Sequence, residues 1–162
     1  PRELAGRGAG LSDAGLLRKI SAIERALEGN RPNANDPMDV LSKVGGYEIA
    51  GMVGAFLGGM EQGVPIVIDG AISAAAALLA ARICPAARDF MLPSHASREP
   101  MARALLEALD LRPPIHADMA LGEGTGAVMV FPLLDMALRV YAGEHTFGNL
   151  GMEAYEPQEG KP

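Results

Sequence analysis

Short β-branched runs alternate with longer segments of helical periodicity, and this alternation constrains the fold of the chain more than any other feature. The run Val64–Ile68 is followed, after Asp69-Gly70, by a mostly apolar helical segment from about residue 73 to 83. Short apolar runs of this kind are typical of buried strands, and strands that alternate with helices form parallel sheets. The sequence therefore predicts an α/β fold with a parallel sheet and flanking helices.

Capping residues and prolines give approximate limits for the predicted elements. Helices are predicted from residue 13 to about 27, 37 to 45, 47 to 62, 73 to 83, 100 to 109 and 125 to 141. Strands are predicted at 64–68, 89–92 and 115–119. Ligands bind at the carboxyl ends of parallel strands. The loops that follow the three strands, at 69–70, 94–97 and 121–126, are therefore the candidate site.

Composition restricts the class of partner. The chain has 162 residues, 49% hydrophobic and 21% charged, with a net charge of -6. A globular balance with no basic stripe disfavours nucleic acid. The single cysteine, Cys84, excludes an internal disulfide and a cysteine-based zinc cluster, and it fits a cytoplasmic location. The longest apolar run, 74–81, is shorter than the roughly 20 residues of a membrane span. We expect small-molecule substrates and no membrane partner.

A glutamate between glycines is the sharpest local feature. Glu123 lies in the loop Leu121-Gly122-Glu123-Gly124-Thr125-Gly126, directly before an apolar helical segment. Glycines permit unusual backbone angles and the close approach of a ligand. Shielding by Leu121 would disfavour the charged carboxylate and suit a general base, whereas an acid at a helix start also interacts favourably with the helix dipole. On the residues alone, these two interpretations of Glu123 are about equally good.

Two other loops carry candidate polar contacts. The motif Gly6-Arg7-Gly8-Ala9-Gly10 precedes a helix and can bring backbone N–H groups to a phosphate, with Lys19 as a possible source of positive charge. A flexible turn and a solvated surface lysine are the ordinary alternatives. Asp69, at a strand end, is either a ligand contact or a turn former.

The segment Ser94-His95-Ala96-Ser97 leads into a helix. Its spacing favours Ser97 as a simple N-cap, although its hydroxyl can also hold a phosphate or ribose oxygen. A hydrolase that uses Ser94 and His95 is a weak alternative, because no nucleophile-elbow pattern is present.

Taken together, the motifs resemble those of the nicotinate-nucleotide–dimethylbenzimidazole phosphoribosyltransferase family. Six segments match in order and spacing: Gly6-Arg7-Gly8-Ala9-Gly10-Leu11, Asn35-Asp36-Pro37-Met38-Asp39-Val40-Leu41, Gly45-Gly46-Tyr47-Glu48-Ile49-Ala50, Val67-Ile68-Asp69-Gly70, Pro93-Ser94-His95-Ala96-Ser97 and Leu121-Gly122-Glu123-Gly124-Thr125-Gly126-Ala127. Each segment is modest alone, but six in register are specific. The resemblance runs from Gly6 to about Phe147.

The resemblance implies a function and a site. The family transfers phosphoribose from nicotinate mononucleotide to dimethylbenzimidazole. The products are nicotinate and α-ribazole phosphate, and the latter supplies the lower ligand of cobalamin. Its catalytic glutamate falls on Glu123, and Leu121 matches an apolar neighbour of the bound base. The residues that fall where the family places nucleotide contacts, mainly to phosphate, are Gly8, Ala9, Gly10, Lys19, Gly70 and Ser97. No metal or other cofactor is implied.

The resemblance also implies an architecture. It indicates a Rossmann-like three-layer α/β fold, a small helical subdomain to which the C-terminal helix contributes, and a homodimer. Residues 1–147 would be the C-terminal part of the catalytic domain, and 148–162 a polar tail.

Family members are about twice as long, and their N-terminal half carries a further glutamate, a glycine-rich nucleotide loop and polar contacts to the base. We therefore expect this chain to be a fragment with little activity alone. Two alternatives stay open: a family member that acts on another base, such as adenine or a phenol, and a non-catalytic nucleotide-binding half-domain that needs a partner chain.

Overall fold

The computed structural model describes residues 2–8, 10–143, 146–153 and 156. The chain divides into two compact units, Pro1–Val130 and Phe131–Pro162. Within the described residues the helices are α1 (Asp13–Asn30), α2 (Pro37–Val44), α3 (Tyr47–Glu61), α4 (Ala71–Ile83), α5 (Pro100–Ala108) and α6 (Thr125–Ala142). The strands are β1 (Ile66–Ile68) and β2 (Met91–Pro93), and a 3-10 helix covers Pro85–Phe90.

The two strands form a small parallel sheet. Ile66 lies opposite Met91, and Ile68 lies opposite Pro93. An isolated parallel bridge between His95 and Ile115 continues the pairing beyond β2. The mixed α/β class and the parallel strand pairing that the sequence predicts are therefore confirmed.

Three of the predicted helix ends, at Ser12, Asp36 and Gly63, are confirmed. Ser12 accepts a hydrogen bond from the backbone N–H of Gly15 at 3.2 Å and begins α1. Asp36 accepts bonds from the N–H groups of Met38 and Asp39 at 3.0 and 3.1 Å and begins α2. Gly63, with a φ of 67°, follows the end of α3 in the left-handed conformation that glycine favours.

The predicted strands are longer than the observed ones. Val64 is not in β1, because its N–H completes a turn with the carbonyl of Gly59 at 2.7 Å. The predicted strand 89–92 is displaced, because the 3-10 helix that starts at Pro85 continues to Phe90. In the predicted strand 115–119, Ile115 bridges to His95, but Asp118 has a φ of 49° and leaves the extended conformation.

Alanines build the centre of the core. Ala76, Ala77 and Ala80 of α4 have no exposed surface, and α4 packs against both α3 and α5. Phe56 of α3 and Leu106 of α5 belong to the same buried cluster. Small side chains allow the helices to approach closely, as a chain with few aromatic residues requires. The sheet edge beside this core carries the candidate site.

The apolar helix α6 is largely exposed. By length and composition it could cross a membrane, and 11% of its 18 residues are buried. Val128, Leu138 and Val140 are each more than 60% exposed. The helix also contains Pro132, and its sequence includes the charged residues Asp135 and Arg139.

In the second unit, the segment after α6 forms hydrogen-bonded turns. The N–H of Leu150 donates to the carbonyl of Thr146 at 3.1 Å, and that of Met152 donates to the carbonyl of Phe147 at 2.8 Å. Of the predicted polar tail 148–162, residues 154, 155 and 157–162 lie outside the described residues.

Candidate active site

The end of β1 is fixed by two serines. The hydroxyl oxygen of Ser73 accepts hydrogen bonds from the N–H groups of Asp69 and Gly70 at 3.0 and 3.1 Å. The hydroxyl of Ser94, at the end of β2, donates to the backbone carbonyl of Asp69 at 3.1 Å. Ser73 belongs to α4 and Ser94 follows β2. Because both serines are held by these elements, the backbone of Asp69 has little freedom.

The carboxylate of Asp69 binds the glutamate loop. Its Oδ2 accepts a hydrogen bond from the N–H of Gly124 at 3.2 Å, and its Oδ1 accepts one from the N–H of Ala127 at 3.0 Å. These bonds join the end of β1 to the first turn of α6, 55 and 58 residues further along the chain. Asp69 thus acts neither as a turn former nor as an open ligand contact.

Glu123 lies at the exposed tip of this loop. Gly122, Glu123 and Gly124 are three consecutive left-handed residues, with φ values of 75°, 57° and 75°. The hydroxyl and the N–H of Thr125 donate to the carbonyl of Gly122 at 2.7 and 3.1 Å and close the turn. The carboxylate of Glu123 has no hydrogen-bond or ion-pair partner among the described residues.

Asp69 already supplies an acid at the start of α6. The N–H groups of Gly124, directly before α6, and of Ala127, in its first turn, have a carboxylate partner in Asp69. A second acid is not required to complement this end of α6. The arrangement leaves the Glu123 carboxylate available to a ligand.

The expected shielding of Glu123 by Leu121 is wrong for this chain. Leu121 is 76% exposed, and Glu123 is exposed as well. An apolar side chain excludes water from a neighbour only when both are covered by other groups, and the described residues provide no such cover. Leu121 is therefore an open apolar surface beside the glutamate.

His95 packs against the start of α6 at Gly126. The imidazole is 5% exposed, and its Nδ1 lies 2.9 Å from the hydroxyl oxygen of Ser94. The hydroxyl of Ser94 satisfies both its contact with the Asp69 carbonyl and its contact with His95 in the tautomer whose Nδ1 carries the proton. Ser94 is 1% exposed. A buried hydroxyl whose proton is engaged elsewhere is unsuited to nucleophilic attack, so the geometry disfavours the Ser/His hydrolase.

Gly126 is the contact between α6 and His95. A Cβ built on Gly126 would come within 2.9 Å of the imidazole Cγ and closer still to Nδ1 and Cε1. The ring has no open space to move into, because it is buried and bonded to Ser94. The third glycine of the loop motif, Gly126, is therefore needed for close packing.

The Gly126→Ala substitution should destabilise this chain by about 1–3 kcal/mol, the usual cost of overpacking. Gly54→Ala is the matched control, because Gly54 is an exposed helical glycine with nothing within 4 Å of a built Cβ. The control should be neutral or stabilising. Urea unfolding monitored by circular dichroism measures both variants, and equal stability of the two would show that the His95 contact is unimportant.

The glycine loop before α1 is a closed turn held by Lys19. The N–H groups of Gly10 and Leu11 donate to the carbonyl of Arg7 at 3.2 and 3.0 Å. The half-buried Lys19 donates from Nζ to the carbonyl of Gly6 at 2.8 Å. Lys19 is therefore not a freely solvated surface lysine.

Gly8 and Gly10 are exposed and have φ values of 53° and 104°, which glycine adopts without strain. Both leave open space where a side chain would stand. Ala9, which the sequence analysis places in the same contact set, lies outside the described residues.

The loop after β2 reaches the glycine loop. A Cβ built on Gly6 would approach the Cδ of Glu99 to 2.9 Å, so the end of this flexible side chain lies against Gly6. The hydroxyl oxygen of Ser97 accepts a hydrogen bond from the N–H of Glu99 at 3.3 Å. Glu99, and not Ser97, is the N-cap of α5, because Pro100 occupies the first helical position. The prediction of Ser97 as an N-cap is wrong.

These contacts form two groups, one around Asp69 and one between Glu99 and the glycine loop. The Glu123 loop contacts Asp69, Asp69 contacts Ser94, and the chain from Ser94 leads through Ser97 to Glu99 and the glycine loop. Gly70 belongs to the same edge, although its N–H is already bonded to Ser73. Glu99 and the loop-binding role of Asp69 are not predicted from the sequence; adjacent strand ends are the signal for Asp69.

A cleft of about 660 Å³ lies along α5 and the segment that follows it, but it is not the predicted site. It shares Ser97 with the predicted residues, and its other walls include Arg103, Arg112 and His116. Glu123 and Asp69 do not line it. The strand-end loops, and not this cleft, carry Asp69, Gly70 and Glu123. Within the described part of the chain, no group of three or more His, Cys, Asp or Glu side chains could hold a metal ion.

Comparison with known proteins follows the same residues. A family model described as Phosphoribosyltransferase matches residues 1–151. The nicotinate-nucleotide–dimethylbenzimidazole phosphoribosyltransferase of Acetivibrio thermocellus is 50% identical over 155 residues, which are 96% of this chain and 44% of the relative. That of Ruminiclostridium cellulolyticum is 47% identical over 157 residues, 97% of this chain and 45% of the relative.

A solved structure is similar as well. CobT from Thermus thermophilus superposes with a TM-score of 0.85 at 44% identity, over 96% of this chain and 46% of that one. The chain thus spans less than half the length of the relatives that it matches.

Proposed function

Because this chain belongs to the phosphoribosyltransferase family, we propose that it forms the C-terminal part of an enzyme that transfers phosphoribose from nicotinate mononucleotide to dimethylbenzimidazole. The products are α-ribazole phosphate and nicotinate, in the synthesis of the cobalamin lower ligand. One observation carries the proposal: the carboxylate of Glu123 is without a partner among the described residues, on a loop whose backbone is bonded on both sides. The relatives named for this activity support the choice of substrates.

Glu123 is the general base of this reaction. Its carboxylate removes the ring N–H proton of the benzimidazole, and the opposite ring nitrogen attacks the anomeric carbon of the ribose. The bond to nicotinate breaks, and its electron pair neutralises the positive ring of the leaving group. A leaving group that departs neutral at its ring nitrogen needs no metal to stabilise it. Attack from the opposite face inverts the anomeric carbon and gives the α product.

The nucleotide contacts come from the glycine loop and the neighbouring strand ends. Gly8, Ala9 and Gly10 offer a backbone without bulky side chains. Lys19 has two further N–H donors, besides the one bonded to Gly6, that can face a phosphate. Ser97 offers a hydroxyl, and Gly70 permits close approach, because nothing lies within 4 Å of a built Cβ there. Leu121, with its exposed side chain, covers one face of the acceptor base.

The surrounding architecture is that of a larger domain. We place the two described strands in a Rossmann-like three-layer sheet that the remaining part of the longer relatives extends. Residues 1–147 belong to the catalytic domain, with α6 in a small helical subdomain, and 148–162 form a polar tail. The enzyme is a cytoplasmic homodimer. We expect protein rather than lipid to cover the exposed apolar side chains of α6, because the helix also carries the charged residues Asp135 and Arg139.

The proposal is tested with what we call the completed enzyme: this chain joined to the part of the Acetivibrio thermocellus relative that it does not match. Incubation with nicotinate mononucleotide and dimethylbenzimidazole should release nicotinate and form α-ribazole phosphate in equal amounts. Chromatography against both anomers identifies the product. A β product, or nicotinate release without the acceptor, would contradict the mechanism.

The same assay distinguishes acceptor bases. A panel of dimethylbenzimidazole, adenine and a phenol, each at equal concentration, should give the highest kcat/KM with dimethylbenzimidazole. If the enzyme prefers adenine or the phenol, the proposed phosphoribosyl transfer still holds, but dimethylbenzimidazole is not the acceptor.

A further inference from the structure

We propose that Asp69 is a positioning residue that holds the catalytic base Glu123 in place. This inference rests on the proposed function, because it assumes that Glu123 is the base. Its geometric foundation is the pair of hydrogen bonds from Gly124 and Ala127 to the two oxygens of the Asp69 carboxylate, at 3.2 and 3.0 Å. Gly124 is the residue next to Glu123, so the bond restrains the peptide that carries the base.

A carboxylate suits this position for electrostatic reasons. The two N–H groups are at the start of α6, where the helix dipole is positive and where N–H groups lack partners within the helix. Hydrogen bonds to an ionised acceptor are stronger than those between neutral groups. The first turn of α6 is thereby attached to the end of β1 by side-chain bonds that a neutral residue reproduces only in part.

Asp69 itself is well placed to transmit the rigidity of the sheet. Its N–H donates to Ser73, its carbonyl accepts from Ser94, and the preceding Ile68 is 1% exposed. Each of its hydrogen-bonding groups is engaged within the described chain. The carboxylate therefore extends from a rigid strand end to a loop that has no regular structure of its own.

The loop needs such an anchor. Glu123 is the middle one of three successive left-handed residues. Its side chain makes this conformation unfavourable, whereas the two neighbouring glycines adopt it without strain. Thr125 closes the turn through the carbonyl of Gly122, and Asp69 attaches the other side through the N–H of Gly124. Without Asp69, the turn remains closed but its attachment to the sheet at Gly124 is lost. The carboxylate of Glu123 then no longer has a defined distance to the ring N–H of the acceptor.

The test compares Asp69→Asn and Asp69→Ala in the completed enzyme. A misplacement of about 1 Å can cost about a hundredfold in rate, so we expect kcat to fall by about 10- to 100-fold in Asp69→Asn. The KM for nicotinate mononucleotide should stay near that of the parent. Asp69→Ala should fall further, because the amide oxygen of asparagine preserves one of the two bonds.

Asp36→Asn is the matched control. Asp36 also accepts two backbone N–H groups at a helix start, from Met38 and Asp39, but it begins α2. It should lower thermal stability to a degree similar to Asp69→Asn and leave kcat unchanged. If kcat falls equally in both variants, or if neither changes it, Asp69 has no positioning role.

A second measurement uses this chain as it stands. Amide hydrogen exchange at Gly124 and Ala127 should accelerate in Asp69→Asn, while amides in the core of α4 remain protected. Unchanged exchange at both residues would overturn the inference whatever the kinetics show.

The two proposals fail in different ways. If Glu123→Gln abolishes turnover but Asp69→Asn does not lower it, the function stands and the positioning role falls. If Glu123→Gln leaves turnover unchanged, the base assignment and the positioning role fall together, and any faster exchange at Gly124 reports helix capping only.

Discussion

Replacing Glu123 by Gln in the completed enzyme should lower kcat by about 10²- to 10⁴-fold, the usual contribution of a general base. Glutamine has nearly the same shape but cannot take up the ring proton of the acceptor. The dissociation constant for nicotinate mononucleotide should stay close to that of the parent, because the proposed phosphate contacts are on other loops. Nicotinate release under saturating substrates measures kcat, and calorimetry measures binding.

Asp118→Asn is the matched control for Glu123→Gln. Asp118 is an exposed acid in the left-handed conformation, with a φ of 49°, and it precedes Glu123 by five residues. The control removes the same charge from a similar backbone and should leave kcat nearly unchanged. Equal losses in the two variants would indicate that the net charge of the loop matters, and not proton transfer.

Acceptor acidity gives an independent check on the base. A benzimidazole with an electron-withdrawing substituent loses its ring proton more readily and depends less on assistance. The loss caused by Glu123→Gln should therefore shrink with such an acceptor. A loss of constant size across acceptors of different acidity would assign Glu123 to substrate positioning.

The sequence predicts the helices of this chain better than its strands. Local chemistry specifies a helix end, so Ser12, Asp36 and Gly63 could be identified without tertiary information. A strand needs a partner, and its length depends on where the pairing stops. The strand that was expected to start at Asp89 begins instead after a 3-10 helix that Pro85 initiates.

The candidate site was predictable to the level of its loops. Glycines on both sides of Glu123 indicated an unusual turn, and its three positive φ values agree with that expectation. The bonds from Asp69 to this turn connect residues 55 and 58 positions apart, and no local pattern encodes such a pair. The exposure of Leu121 could not be predicted either. An apolar residue indicates a preference for burial, but it does not show which group would bury it.

The largest expected effect concerns this chain by itself. Alone, it should show no nicotinate release above background, because positioning both rings against Glu123 requires a walled pocket. Leu121 is 76% exposed, and Glu123 is exposed as well. Correct orientation of two reactants is worth about 7–11 kcal/mol, which far exceeds the contribution of an isolated base.

Transfer should be restored when the missing part is added as a separate polypeptide. That polypeptide is the part of the Acetivibrio thermocellus relative that this chain does not match. The same mixture made with Glu123→Gln should remain inactive, which ties any restored rate to this chain. Transfer by the chain alone at the rate of the completed enzyme would contradict the incomplete pocket.

Calorimetry with nicotinate mononucleotide separates the remaining outcomes. If the chain binds the nucleotide but the mixture stays inactive, a nucleotide-binding half-domain explains the chain better than a catalytic half, because binding requires the glycine loop while transfer requires a base enclosed beside it.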